Sequence, residues 1–309
     1  MAVIRTHRMT VFWYTEIMLS PAQKKELGRW KNLDWPAVFP DDQLKTLSKK
    51  KIVIIGGCGR SGTTLLRVML DSHSQIACGP ESFLFLPTPI DPENLHFKFG
   101  IPKKIILSLA ASADRWIFIE KFQTAYLSRT HKKIWADKTS RNVHRFDAIL
   151  AHFPNARIIH MIRDPRDTVA SLRTHRKRRV VAGRIVKNNW IMPYPDCINR
   201  WITSVSDGIK WRSDRRYIEI KYEDLVHAPD ATLKKVCQHI GVRFEPAMLQ
   251  FYLKKGISRD PLRFPQNVEA TKPLSDTSVG RWKRDLPRVE VHRVTIQTAR
   301  LARKLGYHL

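Results

Sequence analysis

Acidic residues are scarce in this chain: 28 Asp plus Glu stand against 55 Lys plus Arg in 309 residues, a formal net charge of +27. Such an imbalance implies a polyanionic partner, whether nucleic acid, an acidic membrane surface, a multiply charged nucleotide or an acidic substrate. Charge alone also leaves a merely basic, solvated surface open. Cysteine is scarcer still. Cys58, Cys78, Cys197 and Cys237 lie far apart and form no C-x-x-C pair, which excludes metal spacing and argues against a disulfide framework. No H-E-x-x-H and no Asp/Glu cluster suggests a metal centre. Long apolar runs are missing as well. Val11-Phe12-Trp13-Tyr14 is cut short by Glu16, and nothing approaches the ~20 apolar residues of a spanning helix or a signal peptide's apolar core. These absences lead us to expect a reduced, cytoplasmic protein with no transmembrane segment, while a peripheral membrane role stays open.

What the chain does contain is enough apolar residue, 43%, to bury a substantial core, and the length fits one large α/β domain. Residues 1–50 are polar, basic and rich in Trp, with Pro36 and Pro40 breaking any long helix. They read as a basic N-terminal extension packed on a main domain over 51–309. That domain opens on Ile52-Val53-Ile54-Ile55, a β-branched apolar run expected for a strand buried on both faces. A glycine-rich turn follows, and Leu65, Leu66, Met69 and Leu70 then recur at helical spacing. The order strand, glycine loop, helix is that of a phosphate-binding unit.

The same logic repeats downstream. Residues 157–162 predict a second buried strand, after which Asp164-Pro165 supplies an N-cap and a proline at the first helical position. Residues 217–222 predict a third strand before a helix with Leu233, Val236, Cys237 and Ile240 on one face, and Val291 through Leu305 reads as a final amphipathic helix. Strands alternating with helices predict a three-layer α/β fold of the P-loop NTPase type, a mainly parallel sheet covered on both faces. His160 falls inside the second strand pattern and reads as a core histidine.

The turn carries the chemistry. A triphosphate loop, G-x-x-x-x-G-K-[ST], needs its lysine for the terminal phosphates and its hydroxyl for magnesium. Here Gly57 and Gly62 keep the spacing and Thr64 keeps the hydroxyl, but the lysine position is Thr63 and a cation sits inside the loop as Arg60. A phosphosulfate presents one phosphate and one singly charged sulfuryl group. Loop amides, a helix N-terminus and one guanidinium satisfy that lesser charge without a metal.

At these residues the chain resembles the sulfotransferase family. Arg60-Ser61-Gly62-Thr63-Thr64-Leu65 is similar to the family's 5′-phosphosulfate loop, particularly in the branch of protein-tyrosine sulfotransferases. Arg163-Asp164-Pro165-Arg166-Asp167 through Ser171 is similar to its 3′-phosphate motif. The two together are far more specific than either alone. The resemblance spans most of 51–308, including Tyr222-Glu223-Asp224-Leu225 and the segment from Lys272-Pro273 to Arg281-Trp282, and leaves residues 1–50 aside.

The resemblance implies 3′-phosphoadenosine 5′-phosphosulfate as co-substrate, no metal, and in-line transfer of its sulfuryl group to an acceptor hydroxyl on a tyrosine, glycan, lipid or small molecule. By position, Arg60, Ser61, Gly62, Thr63 and Thr64 grip the phosphosulfate, and Arg163 with Ser171 the 3′-phosphate. Tyr222 and Arg281 match further nucleotide contacts, Arg281 standing where that branch has lysine. Glu81, in Cys78-Gly79-Pro80-Glu81-Ser82, matches the catalytic base, although Pro80 replaces an acidic residue. For efficient base catalysis, burial is expected to raise its pKa. Lys138 matches a lysine bridging donor and acceptor. Ala136 stands where secreted relatives pair a cysteine with the one matching Cys78.

Other readings stay open at this level. A P-loop kinase or NTPase lacks its lysine here. A basic nucleic-acid- or membrane-binding protein could reuse the fold, although the enzyme reading needs no obligatory nucleic acid. The run His175-Arg176-Lys177-Arg178-Arg179 is either a solvated helix end or an acceptor-binding rim. The acceptor is of unknown class, with an acidic one in keeping with the charge, and Phe83, Phe85, Phe97 and Trp116 are expected near its pocket. A homodimer is compatible with all of this.

Overall fold

The computed structural model describes residues 47–309 apart from 111–113, 176–177, 182–183, 188–190, 257–258, 261–262, 265–267 and 269–271. The expected extension therefore lies outside the described residues as far as position 46. Among the described residues seven strands follow in chain order: β1 Ile52–Gly57, β2 Ile76–Cys78, β3 Ile134–Lys138, β4 Arg157–Ile162, β5 Arg178–Val181, β6 Arg184–Lys187 and β7 Tyr217–Lys221. Five form one sheet in the order β2-β3-β1-β4-β7, and every pairing in it is parallel. β5 and β6 make a separate antiparallel hairpin. Of the basic run 175–179, positions 176 and 177 lie outside the described residues, and Arg178 and Arg179 open this hairpin.

All six residues of β1 are buried, which is why its apolar run does not alternate with polar residues. Successive side chains still point to opposite faces. Ile52 and Ile54 join Trp135 and Ile158 under helices α2 (Arg115–Thr130) and α3 (Phe146–His152). Val53 and Ile55 join Ile159 and Met161 under α1 (Thr63–Asp71) and α6 (Pro229–Ile240). Helices thus cover both faces, the three-layer α/β fold read from the sequence. A third apolar cluster, centred on Trp201, joins helices α4 (Pro165–Thr174), α5 (Tyr194–Ile209) and α7 (Arg288–Lys304) beyond the β4 edge of the loop.

Two expectations need correction, and two strands lie outside what the sequence pattern predicts. β7 ends at Lys221, and Tyr222 instead opens the short helix Tyr222–His227. β2 and β3 were not evident as strands. Phe85 and Trp116 do not line a pocket: they are 1% and 4% exposed, and Phe85 packs on both Trp116 and Trp135 in the core. Phe83 and Phe97 do reach the surface, at 36% and 47% exposure. His160 is the core histidine expected. Its Nδ1 lies 2.7 Å from the Tyr217 hydroxyl, and burial pushes its pKa down to about 4.

Candidate functional site

The chain leaves β1 toward β2 on one side of the sheet and leaves β4 toward β7 on the other, so the order reverses between β1 and β4. In open parallel sheets ligands bind beyond the carboxyl ends of the strands at such a reversal. Gly57 pairs with Met161 across that boundary, which places the 57–62 loop beside Arg163, the residue that follows β4. The loop demands glycine at two points. Gly57 has φ +144°, and a Cβ there would meet the Met161 carbonyl oxygen at 2.3 Å. Gly62 has φ +86°, and its Cβ would meet Tyr222 Cδ2 at 2.4 Å. Arg60 takes a left-handed φ of 76° despite its side chain, an arrangement that persists only where its surroundings hold it.

Those surroundings are the second motif. Arg163, with a side chain 4% exposed, donates from Nη1 to the Arg60 carbonyl at 3.1 Å and from Nη2 to the Ser278 carbonyl. Its guanidinium lies 4.4 Å over the Tyr222 ring. Arg60 Nε donates to Ser171 Oγ at 3.3 Å, and Arg281 reaches Ser171 Oγ at 3.5 Å and Thr174 Oγ1 at 3.0 Å. Arg60, Arg163, Ser171, Tyr222 and Arg281, separated in sequence, are thus brought together. Asp164 caps α4 through the Arg166 amide at 2.8 Å. Asp167 accepts from the Gly280 and Trp282 amides at 2.8 and 3.0 Å, tying the Arg281 segment to α4. Burial raises the Asp167 pKa, and Arg163 at 3.7 Å opposes that rise.

Two buried donors at the loop have no hydrogen-bond partner among the described residues: Ser61 Oγ and Arg163 Nε. Buried polar groups are otherwise almost always satisfied, so an anionic group carrying acceptor oxygens fits this cradle. Thr63 Oγ1 lies 3.1 Å from Ser140 Oγ. Thr64 Oγ1 accepts from Lys138 Nζ at 3.2 Å. A lysine absent from the loop itself therefore arrives from β3.

Lys138 also meets Glu81. Its Nζ is 3.0 Å from Glu81 Oε1, and that oxygen further accepts from the Ser140 amide at 3.4 Å and Ser140 Oγ at 3.3 Å. Burial alone raises the Glu81 pKa, but Lys138, Lys98 and the Ser140 amide outweigh it and hold the carboxyl below the usual glutamate range. The expectation of a raised base is thereby corrected: the carboxylate is paired, not isolated. Residues the sequence pattern does not single out are Ser140, Thr139 and Lys98, while Asp167 stands in the 3′-phosphate motif without a role of its own there. Thr139 and Ser140 directly follow Lys138 at the carboxyl end of β3, a position that would have flagged them had β3 been recognised.

Among the described residues no group of three or more His, Cys, Asp or Glu side chains could hold a metal ion, and no helix is long and apolar enough to cross a membrane. A family model described as the sulfotransferase family matches residues 53–246, from β1 through the carboxyl side of α6. The chain belongs to the sulfotransferase family. It is accordingly an enzyme that transfers sulfuryl groups. Relatives of this sulfotransferase include protein-tyrosine sulfotransferase A of Caenorhabditis elegans, 24% identical over 275 residues, with 82% of this chain and 67% of that protein covered. Protein-tyrosine sulfotransferase 1 of Danio rerio is 23% identical over 288 residues, with 89% and 76% covered. Of the Drosophila melanogaster protein-tyrosine sulfotransferase the chain spans 54%. In architecture it is similar to the sulfotransferase domain of the Synechococcus PCC 7002 olefin synthase, with a TM-score of 0.61, 23% identity, and 86% and 98% coverage. The sulfotransferase domain of the curacin pathway gives 0.62, 21% identity, and 85% and 100% coverage. Both share the fold.

Gly62→Ala probes the sulfotransferase loop. The left-handed backbone alone costs a non-glycine residue about 1–2 kcal/mol, and the overlap with Tyr222 adds to it. We expect a melting temperature several degrees lower. A melting temperature within about 1 °C of the parent would contradict the loop geometry.

Proposed function

We propose that this sulfotransferase moves a sulfuryl group from 3′-phosphoadenosine 5′-phosphosulfate to an acceptor hydroxyl, with Glu81 as general base. One observation carries the reading: Lys138 Nζ touches both the loop hydroxyl of Thr64 and the carboxylate of Glu81, so donor grip and base meet at one point. The acceptor oxygen attacks sulfur in line with the bond from sulfur to the 5′-phosphate oxygen. That bond breaks, the 3′,5′-bisphosphate leaves with its electron pair, and the acceptor proton passes to Glu81. Arg60, Lys138 and the amides at the start of α1 meet the charge growing on the leaving oxygen. Arg163 and Ser171 take the 3′-phosphate, a group suited to a guanidinium and a hydroxyl, and Tyr222 and Arg281 flank the nucleotide.

For the acceptor we propose a phenolic hydroxyl, in the first place peptide tyrosine. The relatives are named for it, and the state of Glu81 favours it. A carboxylate held below its usual pKa is a weak base, and a phenol with a pKa near ~10 asks less of it than an aliphatic alcohol does. We further propose a reducing compartment. All four cysteines are free and buried, and Cys78 faces Ala136 in the β2–β3 register, so that thiol has no partner there.

Thermal shift tests the donor. Without magnesium, the 3′,5′-bisphosphate at 100 times its Kd should stabilise the fold by about 2.7 kcal/mol. Stabilisation only by ATP with magnesium would favour a kinase, and stabilisation only by RNA or anionic vesicles a binding protein. Radiolabelled donor offered to tyrosyl peptides, sugars and lipids then tests the acceptor. Label on sugar or lipid hydroxyls but not on the peptide would overturn the phenolic assignment.

A further inference from the structure

What aims the Glu81 carboxylate is a question of main chain as much as side chain. Glu81 sits in the turn after β2, and Phe83, two residues on, holds a left-handed φ of 60°. A bulky residue rarely adopts that conformation unless neighbours compel it. From the far side of the turn Thr139 Oγ1 accepts from the Phe83 amide at 3.2 Å. From the near side comes Lys98, on the helix Pro92–Phe99. Lys98 Nζ donates to the Glu81 carbonyl at 2.8 Å and lies 4.4 Å over the Phe83 ring. One ammonium thus grips both ends of the strained turn. Phe83 is 36% exposed, so packing alone does not hold its ring.

We propose that Lys98 is a positioning residue for the general base: its ammonium, shared between the Glu81 carbonyl and the Phe83 ring, holds the turn in the conformation that presents Glu81 to Lys138 and Ser140. It rests on the assignment of Glu81 as base, and it adds a residue from an element outside both nucleotide motifs. Both contacts draw strength from the cation. A neutral amine donates a weaker hydrogen bond and has no cation–π attraction.

The protonation of Lys98 is itself poised. Burial pushes its pKa down to about 8, Lys138 pushes the same way, and Glu81, Asp91 and Asp137 push back. As pH rises through that value the cation is lost: its attraction to the Phe83 ring goes with it, and the hydrogen bond to the Glu81 carbonyl weakens. The turn should therefore loosen on the alkaline side, with Glu81 still ionised.

Hydrogen exchange read by mass spectrometry on the full chain tests this without any acceptor. After correction for the intrinsic rise of exchange with pH, peptides spanning 79–85 should lose protection above pH about 8 in the parent. Lys98→Met should show the unprotected state, roughly 10-fold faster exchange, at every pH, and Lys98→Arg the protected state throughout. With a tyrosyl peptide as acceptor, Lys98→Met should lower kcat by about 10-fold with the bisphosphate Kd unchanged, and Lys98→Arg should retain most of kcat while shifting the alkaline limb upward. An alkaline limb and a protection loss that persist in both variants overturn the proposal, as does parent-like exchange in Lys98→Met. Thermal melting of Lys98→Met shows whether it folds, and Lys98→Arg carries the test if it does not. Failure of the bisphosphate to bind the parent would instead strike the donor assignment, a distinct result.

Discussion

Glu81→Gln should lower kcat by about 10²- to 10⁴-fold while leaving the Kd of the 3′,5′-bisphosphate within ~2-fold of the parent. The amide keeps the shape of the carboxylate and still accepts from Lys138 and Ser140, so the turn and the loop stay in place. What it cannot do is take a proton. Single-turnover transfer to a tyrosyl peptide, with bisphosphate binding by calorimetry, separates the two effects. Retained turnover would assign the proton to another group. A loss of both turnover and binding would show that Glu81 holds the loop rather than the acceptor proton.

The direction of the Glu81 pKa extends this prediction to pH. In the free enzyme Lys138, Lys98 and the Ser140 amide hold the carboxyl below the usual glutamate range. Because the folded pKa is depressed, the stabilising pair with Lys138 is present at and above the ordinary glutamate pKa and is lost as pH falls through the lower folded value. The acidic limb of kcat/KM assigned to Glu81 should therefore lie below the ordinary glutamate range, with no inflection between pH 6 and 7. Donor binding changes the balance. A sulfuryl group that draws Lys138 toward itself weakens the opposing charge on Glu81, whose pKa then climbs toward a more effective base. The acidic limb of kcat, which reports the loaded enzyme, should accordingly lie above that of kcat/KM. Coincident limbs would mean that Lys138 stays with Glu81 throughout.

Much of this site is legible in the sequence, and the reason is physical. β1 is uniformly apolar because it is buried on both faces, and Gly57 and Gly62 cannot be anything else where a Cβ would strike Met161 or Tyr222. Asp164-Pro165 announces a helix start because cap and proline chemistry are local. What stayed hidden depended on partners distant in sequence. β3 reads Ile-Trp-Ala-Asp-Lys, and its two charges break the apolar run that marks a buried strand. Those charges stay buried because each finds partners inside: Asp137 is held by Asn142 at 2.7 Å, and Lys138 bonds Thr64 and Glu81. Burial raises the Asp137 pKa, and the hydrogen bond from Asn142 opposes that rise. The depressed pKa of Glu81 was hidden for the same reason, since it is set by Lys138, Lys98 and Ser140 rather than by its own neighbours in the chain. Phe85 and Trp116 misled because an aromatic residue in a connecting segment looks the same from sequence whether it faces a pocket or the core.

Arg163→Ala should have the largest effect on the donor side, weakening the bisphosphate by about 100-fold or more and destabilising the fold by roughly 3–5 kcal/mol. Both follow from one side chain serving two roles. Toward the nucleotide, its buried Nε has no hydrogen-bond partner among the described residues, and a charge-assisted bond to a phosphate is among the stronger polar contacts. Toward the protein, its Nη1 holds the carbonyl of Arg60, the loop residue with the left-handed backbone, and its Nη2 holds Ser278. Truncation frees the Arg60 turn and leaves Asp167, 1% exposed, without the cation that opposes its burial. The Asp167 pKa should then rise further, so the variant should lose more stability at pH 8 than at an acidic pH low enough for protonation to relieve the unpaired carboxylate. Arg163→Lys separates the roles. It restores a charge near Asp167 but not the planar fork, so stability should largely return while bisphosphate affinity does not. Melting curves at both pH values and calorimetry on the two variants decide it. If Arg163→Lys binds the bisphosphate as tightly as the parent, the 3′-phosphate is held elsewhere. If Arg163→Ala melts with the parent at pH 8, the pair with Asp167 contributes nothing to the fold.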